Sequence, residues 1–202
     1  MKNVVVIGFG KSATTTLHKA FSKTGYNSFH QNVKHLRRTV PELMIESYRE
    51  SGDPYAFFRD NLSPYALTQL DYTNPSKNCV IWPQLDYEML VDGFEKNDDV
   101  VYVLNYREPY SLADSFFRWK DGQFRDRLIR ADLPGLPSGT GYALDEIVEW
   151  TSAHYEKCRE LFEGSDRYIE VDIQSDDFRT DLESFLEIEF KWWGVANKNV
   201  QK

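Results

Sequence analysis

Runs rich in apolar and β-branched residues predict the strands of this chain. Residues 3–8 are almost continuously apolar, which is typical of a strand buried on both faces of a sheet. The same reasoning predicts strands at residues 78–82, 99–106 and 166–172, and a weaker candidate at residues 26–30. The chain therefore has strand candidates along most of its length.

Apolar residues at intervals of three and four predict helices between these strands. Leu17 and Phe21 share one face of a first helix, which we expect to end at Gly25. A long helix is predicted over residues 145–162 and ends near Gly164. Two further helices are marked by the apolar sets Leu85, Met89 and Leu90, and Phe178, Leu182, Phe185 and Leu186.

Strands and helices alternate along the chain, which predicts a three-layer α/β domain over residues 1–202 with a central, mostly parallel sheet of about five strands. Ligands of such sheets bind at the carboxyl ends of the strands. Two long segments without a predicted strand, residues 31–77 and 118–141, are expected to cover that site as helical insertions. Surface helices with a mobile loop explain their composition equally well.

Composition and charge narrow the possible partners. The chain has 202 residues, of which 41% are apolar and 15% aromatic, and this is enough to bury a sizeable core. A formal net charge of −8 argues against a nucleic-acid binder, although it leaves room for a local basic pocket. The apolar run at residues 4–8 is too short for a signal-peptide core or a membrane span. We expect a cytoplasmic protein without stable membrane insertion and without a nucleic-acid partner.

The segment between the first strand and the first helix has the composition of a phosphate-binding loop. Gly8 and Gly10 allow a sharp turn, Lys11 supplies a positive charge, and four hydroxyl residues lie between positions 12 and 16. Free N–H groups at the start of a helix bind anions. A glycine turn before a capped helix, without a ligand, is the alternative, but the lysine and the hydroxyls exceed what capping needs.

This loop is shorter than the G-x-x-x-x-G-K-[ST] loop of nucleoside-triphosphate enzymes, since Val5 stands where the first glycine would be. Such an enzyme also needs an acid that holds magnesium, usually at the end of a neighbouring strand. The two strongest neighbouring strands offer Trp82 and Asn105 at that point, and Asp172 alone is an acid at the end of a predicted strand. Both features weaken the interpretation of the chain as a magnesium-dependent kinase, but they do not exclude it.

The segment “GKSATTTL”, residues 10–17, resembles the “PKSGTTWL” or “GKSGTTSL” loop of the sulfotransferases. These enzymes use the donor 3′-phosphoadenosine 5′-phosphosulfate (PAPS) on a P-loop-like fold. In that family a central strand is followed by an Arg, a nearby Pro, and a Ser eight positions after the Arg, and this chain has Arg107, Pro109 and Ser115. Looser similarity at “VIWPQLDYEML” and from “YIEVD” onward extends the resemblance over most of the chain.

The resemblance implies transfer of a sulfuryl group from PAPS to a hydroxyl or amine of a small-molecule acceptor, without a metal. The product would be 3′-phosphoadenosine 5′-phosphate (PAP). Lys11 would stabilise the charge on the leaving phosphate, and Arg107 with Ser115 would hold the 3′-phosphate. The donor-binding set that it implies is Gly10, Lys11, Ser12, Ala13, Thr14, Thr15, Arg107 and Ser115. Residues 31–77 and 118–141 would cover the acceptor.

Three positions depart from the family pattern. Ala13 replaces a loop glycine, and a residue with a side chain does not freely adopt a positive φ. Ile81 and Trp82 precede Pro83, where the family commonly has an acid or a histidine. The Gly-rich basic tail of the animal cytosolic enzymes is missing, so we expect another basic group over the nucleotide, from the set Arg125, Arg127, Arg130 and Lys198.

The catalytic base is open at this stage. An acceptor hydroxyl needs one, and His30, at the end of the second predicted strand, ranks before Asp86, although a structural histidine is the commoner case. Trp192 and Trp193 either stack on adenine or close the core, and we prefer the core. A P-loop kinase for a metabolite or nucleotide and a non-catalytic nucleotide-binding protein remain the two alternatives.

Overall fold

The computed structural model describes residues 1–74 and 79–196. Within that part of the chain, five parallel strands form the central sheet. Their order across the sheet is β2 (Asn27–His30), β5 (Tyr65–Gln69), β1 (Asn3–Val6), β8 (Val100–Tyr106) and β9 (Tyr168–Asp172). This arrangement confirms the predicted α/β class and the predicted parallel sheet. It also places the first strand in the centre, with β5 and β8 as its neighbours.

Helices cover both faces of the sheet and give it three layers. On one face, Val4 and Val6 pack with α1 (Thr14–Thr24) and α8 (Phe178–Leu186). On the other face, Val5 and Ile7 pack with a larger cluster from the remaining helices. Successive side chains of a strand point to opposite faces, so the unbroken apolar run of β1 supplies both cores. The helices of the second face are α2 (Val40–Ser51), α3 (Ala56–Leu62), α4 (Tyr87–Lys96), α5 (Pro109–Arg118), α6 (Gln123–Arg130) and α7 (Leu144–Phe162).

Short elements connect these layers. The strands β3 (Asn32–Val33) and β4 (Arg38–Thr39) pair antiparallel around a 3-10 turn, Lys34–Leu36. A second antiparallel pair joins β6 (Tyr72–Asn74) to β7 (Cys79–Ile81), and a 3-10 turn at Pro83–Leu85 leads into α4. None of the helices in the described ranges is long and apolar enough to cross a membrane.

Two sequence predictions about strands need correction. The strand predicted at 78–82 is confirmed as β7, but it pairs antiparallel with β6 and does not belong to the parallel sheet; residue 78 lies outside the described residues. The sequence predicts no strand in residues 31–77, but this segment contains β5, which lies directly beside β1. Residues 75–77 of that segment are also outside the described residues. The missed strand matters because its carboxyl end lies next to the loop between β1 and α1.

Candidate functional site

The loop from β1 to α1, residues 7–13, is here called the cradle loop, and close contacts with neighbouring strands fix its path. A Cβ atom on Gly8 would lie 2.2 Å from Oδ1 of Asn105, and one on Gly10 would lie 3.2 Å from Oδ1 of Asp71. The contact at Gly8 leaves no room for a side chain, whereas at Gly10 the Asp71 side chain would have to move by a few tenths of an ångström. Lys11 and Ala13 adopt left-handed backbone conformations, with φ of 69° and 60°. The positive φ at Ala13 is the conformation that its side chain disfavours.

Asn105, near the end of β8, holds the cradle loop from beneath. Its side-chain amide donates to the carbonyl oxygen of Ser12 at 2.5 Å, and the Asn105 side chain is fully buried. A carboxylate could not replace it, because an ionised acid has no proton to donate. The lack of an acid at position 105 therefore reflects the support of the loop. Ser12 itself is fully buried and contributes its backbone to this support.

A cavity of about 480 Å³ opens at the carboxyl ends of the parallel strands, next to the cradle loop. We call it the central cavity. Its volume is in the range of small-molecule and cofactor sites. The cradle loop and the start of α1 contribute Gly10, Lys11, Ala13, Thr14 and Thr15 to its wall. The start of α1 has no side-chain cap, so its first N–H groups are not satisfied by a capping side chain, and Thr14 and Thr15 of this turn line the cavity.

Arg107 and Ser115 meet the cradle in this cavity. Arg107 follows β8 and donates from Nη1 to the carbonyl oxygen of Lys11 at 2.8 Å, and its buried Nε has no partner among the described residues. Ser115 lies on α5 and also lines the cavity. Glu108 does not pair with Arg107: it caps α5 by accepting from the backbone amides of Tyr110 and Ser111. The Arg and the Ser of the second motif thus share one cavity with the lysine of the first.

The cavity wall is strongly cationic. Burial, and then the charge of Arg107, lower the pKa of Lys11. Burial, and then the charge of Arg118, lower the pKa of Arg107. Arg127 from α6 lines the same cavity, and no ion pair in the described part of the chain involves Lys11, Arg107 or Arg127. Three cations that form no ion pair thus lie in one cavity wall, where their mutual repulsion favours an anion between them.

The structure separates the two candidate bases. His30, at the end of β2, lines the cavity, and its Nε2 lies 3.2 Å from the hydroxyls of both Thr14 and Thr15. Burial, followed by the charge of His18, lowers the pKa of His30 to about 4. Asp86 is exposed and does not line the cavity: it caps α4 by accepting from the amide of Met89 at 3.1 Å. The expectation for Asp86 is therefore corrected to a helix-capping role.

Sequence reasoning missed Asp71, which follows the unpredicted strand β5. The carboxylate is 3% exposed, lines the cavity, and accepts from the amide of Gly10 at 3.2 Å. Burial raises its pKa to about 6, against hydrogen bonds from Gln69, its own amide and Gly10 that lower it. An acid two residues after the short apolar run “YALTQ” was the signal that could have identified it.

The segment at 118–141 supplies one side of the cavity through Trp119, Phe124 and Arg127. The guanidinium of Arg127 lies 5.4 Å from the Trp119 ring centroid, within the range of a cation–π contact. Among the other basic residues predicted to lie over the nucleotide, Arg125 pairs with Asp126 at 2.9 Å and Arg130 is exposed outside the cavity wall. Lys198 lies outside the described residues.

The C-terminal segment reaches the cavity with its backbone rather than with its tryptophans. Ala196 lines the cavity, and its amide donates to the Thr16 hydroxyl at 3.2 Å. Trp193 packs on Phe178 with ring centroids 5.0 Å apart, and Trp192 lies under the ammonium of Lys19. These contacts support the core interpretation of both tryptophans.

Comparison with known proteins adds no family assignment: no family model matches the chain, and no curated protein matches it. Functional argument therefore depends on the geometry of the central cavity.

Proposed function

We propose that this chain is a sulfotransferase that transfers the sulfuryl group of PAPS to a hydroxyl or amine of a small-molecule acceptor and releases PAP. One observation carries the proposal: Lys11, Arg107 and Ser115, which belong to separate motifs, line a single cavity. PAPS has a 5′ end and a 3′-phosphate, and the two motifs offer a separate position for each. The buried, unpartnered Nε of Arg107 and the unpaired cations support a fit to such a ligand.

In this proposal, the position of each residue in the cavity wall determines its role in binding or transfer. The cradle loop and the start of α1 would hold the 5′-phosphate through backbone N–H groups, with hydroxyls from Thr14 and Thr15. Lys11 would stabilise the negative charge that develops on the leaving phosphate. Arg107 can donate two hydrogen bonds at once to a 3′-phosphate, which suits a dianion. Sulfuryl transfer, like phosphoryl transfer, then depends mostly on positioning and charge stabilisation.

A magnesium-dependent kinase is the second candidate, and Asp71 favours it. Triphosphate enzymes place a magnesium-holding acid near the phosphate loop, and Asp71 follows the strand next to β1. The same carboxylate accepts a hydrogen bond from the loop itself. Asp71 thus offers the acid that the sequence did not reveal, and ligand binding must decide between the two functions.

The deciding experiment measures thermal stability with PAP and with ATP, each with and without magnesium. A ligand that binds only the folded state raises the melting temperature according to its affinity. We expect PAP to stabilise the chain without a divalent metal, and more strongly than ATP. Stabilisation by ATP alone, and only with magnesium, would establish the kinase instead. Binding of PAP without any transfer activity would support a non-catalytic nucleotide-binding protein.

The predicted cytoplasmic location is part of this proposal. Fractionation of cells that express the tagged chain checks it, and recovery in a membrane or secreted fraction would contradict it.

A further inference from the structure

The wall of the central cavity contains one carboxylate within the described ranges, and that is Asp71. It stands two residues beyond the end of β5, where the sheet edge meets the cradle loop. The same wall includes Lys11 and Thr73. A carboxylate in an otherwise cationic cavity opposes the binding of an anionic donor, so its place there calls for a chemical reason.

Hydrogen bonds hold this carboxylate in a fixed orientation. Oδ1 accepts from the Gly10 amide at 3.2 Å, and Oδ2 accepts from Nε2 of Gln69 at 3.0 Å. The side-chain amide of Gln31 also donates a hydrogen bond to the backbone carbonyl oxygen of Asp71 at 2.8 Å. Two carboxylate oxygens together offer about four acceptor positions. The hydrogen bonds from Gly10 and Gln69 occupy two of these positions. The remaining positions of the carboxylate can accept a proton from a ligand next to Gly10 and Lys11.

The protonation behaviour of Asp71 suits proton transfer near neutral pH. Burial raises its pKa to about 6, so the group is ionised at pH 7 and still has an appreciable affinity for a proton. A catalytic base works best when its pKa is close to the operating pH. The other charged or titratable groups of the cavity wall are Lys11, His30, Arg107 and Arg127.

His30 is arranged for a different role. Its Nε2 lies 3.2 Å from the hydroxyls of Thr14 and Thr15, which the donor site needs. Its pKa of about 4 makes it a weak proton acceptor at neutral pH. The ring therefore fits the orientation of the two hydroxyls better than removal of a proton from an acceptor.

We propose that Asp71 is the general base that activates the acceptor, and that His30 is a positioning residue for Thr14 and Thr15. This assignment rests on the proposed sulfotransferase function. The Asp71 carboxylate removes the proton of the acceptor hydroxyl while the acceptor oxygen forms a bond to sulfur. The bond between sulfur and the 5′-phosphate oxygen breaks, and Lys11 stabilises the electron pair that stays on that oxygen.

The first part of the test separates binding from transfer. Asp71→Asn is compared with Asp86→Asn, which changes an exposed carboxylate outside the cavity. Calorimetric titration with PAP is expected to give a Kd close to the parent's for Asp86→Asn, and a Kd no weaker than the parent's for Asp71→Asn, because loss of the Asp71 charge removes a repulsion from the anionic ligand. This result also shows that both variants fold. A parent chain that binds no PAP would refute the proposed function itself, not only the role of Asp71.

The second part measures release of PAP from PAPS with water and with unsubstituted phenol as acceptors, because a phenol of ordinary pKa, about 10, keeps its proton near pH 6 and needs a base. We expect Asp71→Asn to slow release by about 100-fold or more, the scale of general-base catalysis, and Asp86→Asn to leave it unchanged. In the parent, release is expected to fall as the pH drops through about 6. A fall near pH 4 would instead identify His30 as the base. Parent-like release by Asp71→Asn, or no release by the parent, overturns the assignment.

The third part reads the carboxyl group directly. In the ¹³C NMR spectrum of the parent without ligand, the Asp71 carboxyl signal is the one that disappears in Asp71→Asn. We expect it to titrate with a midpoint near 6, and a midpoint at the ordinary aspartate value of about 3.9 would overturn the proposal. ATP binding that needs both magnesium and Asp71 would assign the carboxylate to a metal and would also overturn it.

Discussion

At the scale of single residues, the cradle loop contains backbone conformations that its sequence disfavours. Ala13 has φ of 60° and ψ of 13° at the start of α1, and Lys11 is also left-handed. An L-residue in this region costs about 1–2 kcal/mol relative to a right-handed conformation. Asn105 and Arg107 hold the loop by bonds to the carbonyl oxygens of Ser12 and Lys11, so the surrounding structure imposes the strain.

Ala13→Gly is expected to raise the free energy of unfolding by up to about 1 kcal/mol, because glycine adopts the left-handed region without a steric cost. The greater entropy of glycine in the unfolded chain offsets part of this gain, by about 0.4–1 kcal/mol. Denaturant unfolding measures the change. Ala153→Gly is the matched control at an exposed position inside α7, and it should lower stability by about 1 kcal/mol. Equal losses in both variants would show that the loop is not strained at Ala13.

At the scale of elements, the β8–α5 connection positions two polar side chains, Arg107 and Ser115, beside the same cavity. Arg107 follows the end of β8 directly, Pro109 begins α5, and Ser115 lies on the buried side of that helix. Proline suits the first helical position because its fixed φ is already helical. The eight-residue spacing places Ser115 nearly two turns along the helix, beside the same cavity. The spacing of the motif thus has a direct geometric meaning.

Arg107→Ala is expected to weaken PAP binding by about 2–3 kcal/mol, which is the range for charge-assisted hydrogen bonds. The loss should be much smaller for adenosine 5′-phosphate, because that ligand has no 3′-phosphate. Calorimetry with both ligands checks the difference, and Arg130→Ala, an exposed arginine outside the cavity wall, is the control. Equal losses for the two ligands would mean that Arg107 serves only to hold the carbonyl oxygen of Lys11.

The individual strands also show which parts of the fold can be predicted from the sequence. The runs of β1 and β8 are long and apolar, so pattern alone predicts them and the loop between β1 and α1. The strand β5 is buried along Tyr65–Thr68 but short, and a brief apolar run does not distinguish strand from helix. The run of β7 has the same appearance, yet it pairs locally with β6. Strand pairing depends on contacts distant in sequence, and this is why Asp71 beside Gly10 was not predicted.

At the scale of the whole molecule, an acidic chain surrounds a cationic cavity. The net charge is −8, while Lys11, Arg107 and Arg127 line one cavity without an ion pair in the described part of the chain. Buried neutral groups accompany them. His154 is 1% exposed, its Nε2 donates to the carbonyl oxygen of Ile7 at 2.8 Å, and burial lowers its pKa to about 4. Such groups make the stability of the whole fold depend on pH.

The sign of this dependence differs for His154 and Asp71. The unfolded chain protonates His154 below about pH 6.5, but the folded chain does so only near pH 4, so acidification in this window favours unfolding. Asp71 acts in the opposite direction. Its folded pKa is about 6 and its unfolded value about 3.9, so the folded state binds the proton first and gains stability as the pH falls.

The free energy of unfolding, measured at pH 7 and at pH 5, therefore distinguishes the effects of the two groups. A proton that only one of the two states binds changes this free energy by about 1.4 kcal/mol per pH unit. Relative to the parent, His154→Gln should lose about 2 kcal/mol less stability between pH 7 and pH 5, because its titration is gone. Asp71→Asn should lose about 1.4 kcal/mol more over the same interval, because the opposing proton uptake is gone. Denaturant unfolding at both pH values gives these differences without any ligand.

If His154→Gln does not fold, the comparison of Asp71→Asn with the parent still stands. An equal loss in the parent and Asp71→Asn would show that the Asp71 carboxyl has an ordinary pKa in the folded protein, and its role as a base near neutral pH would then have no physical basis.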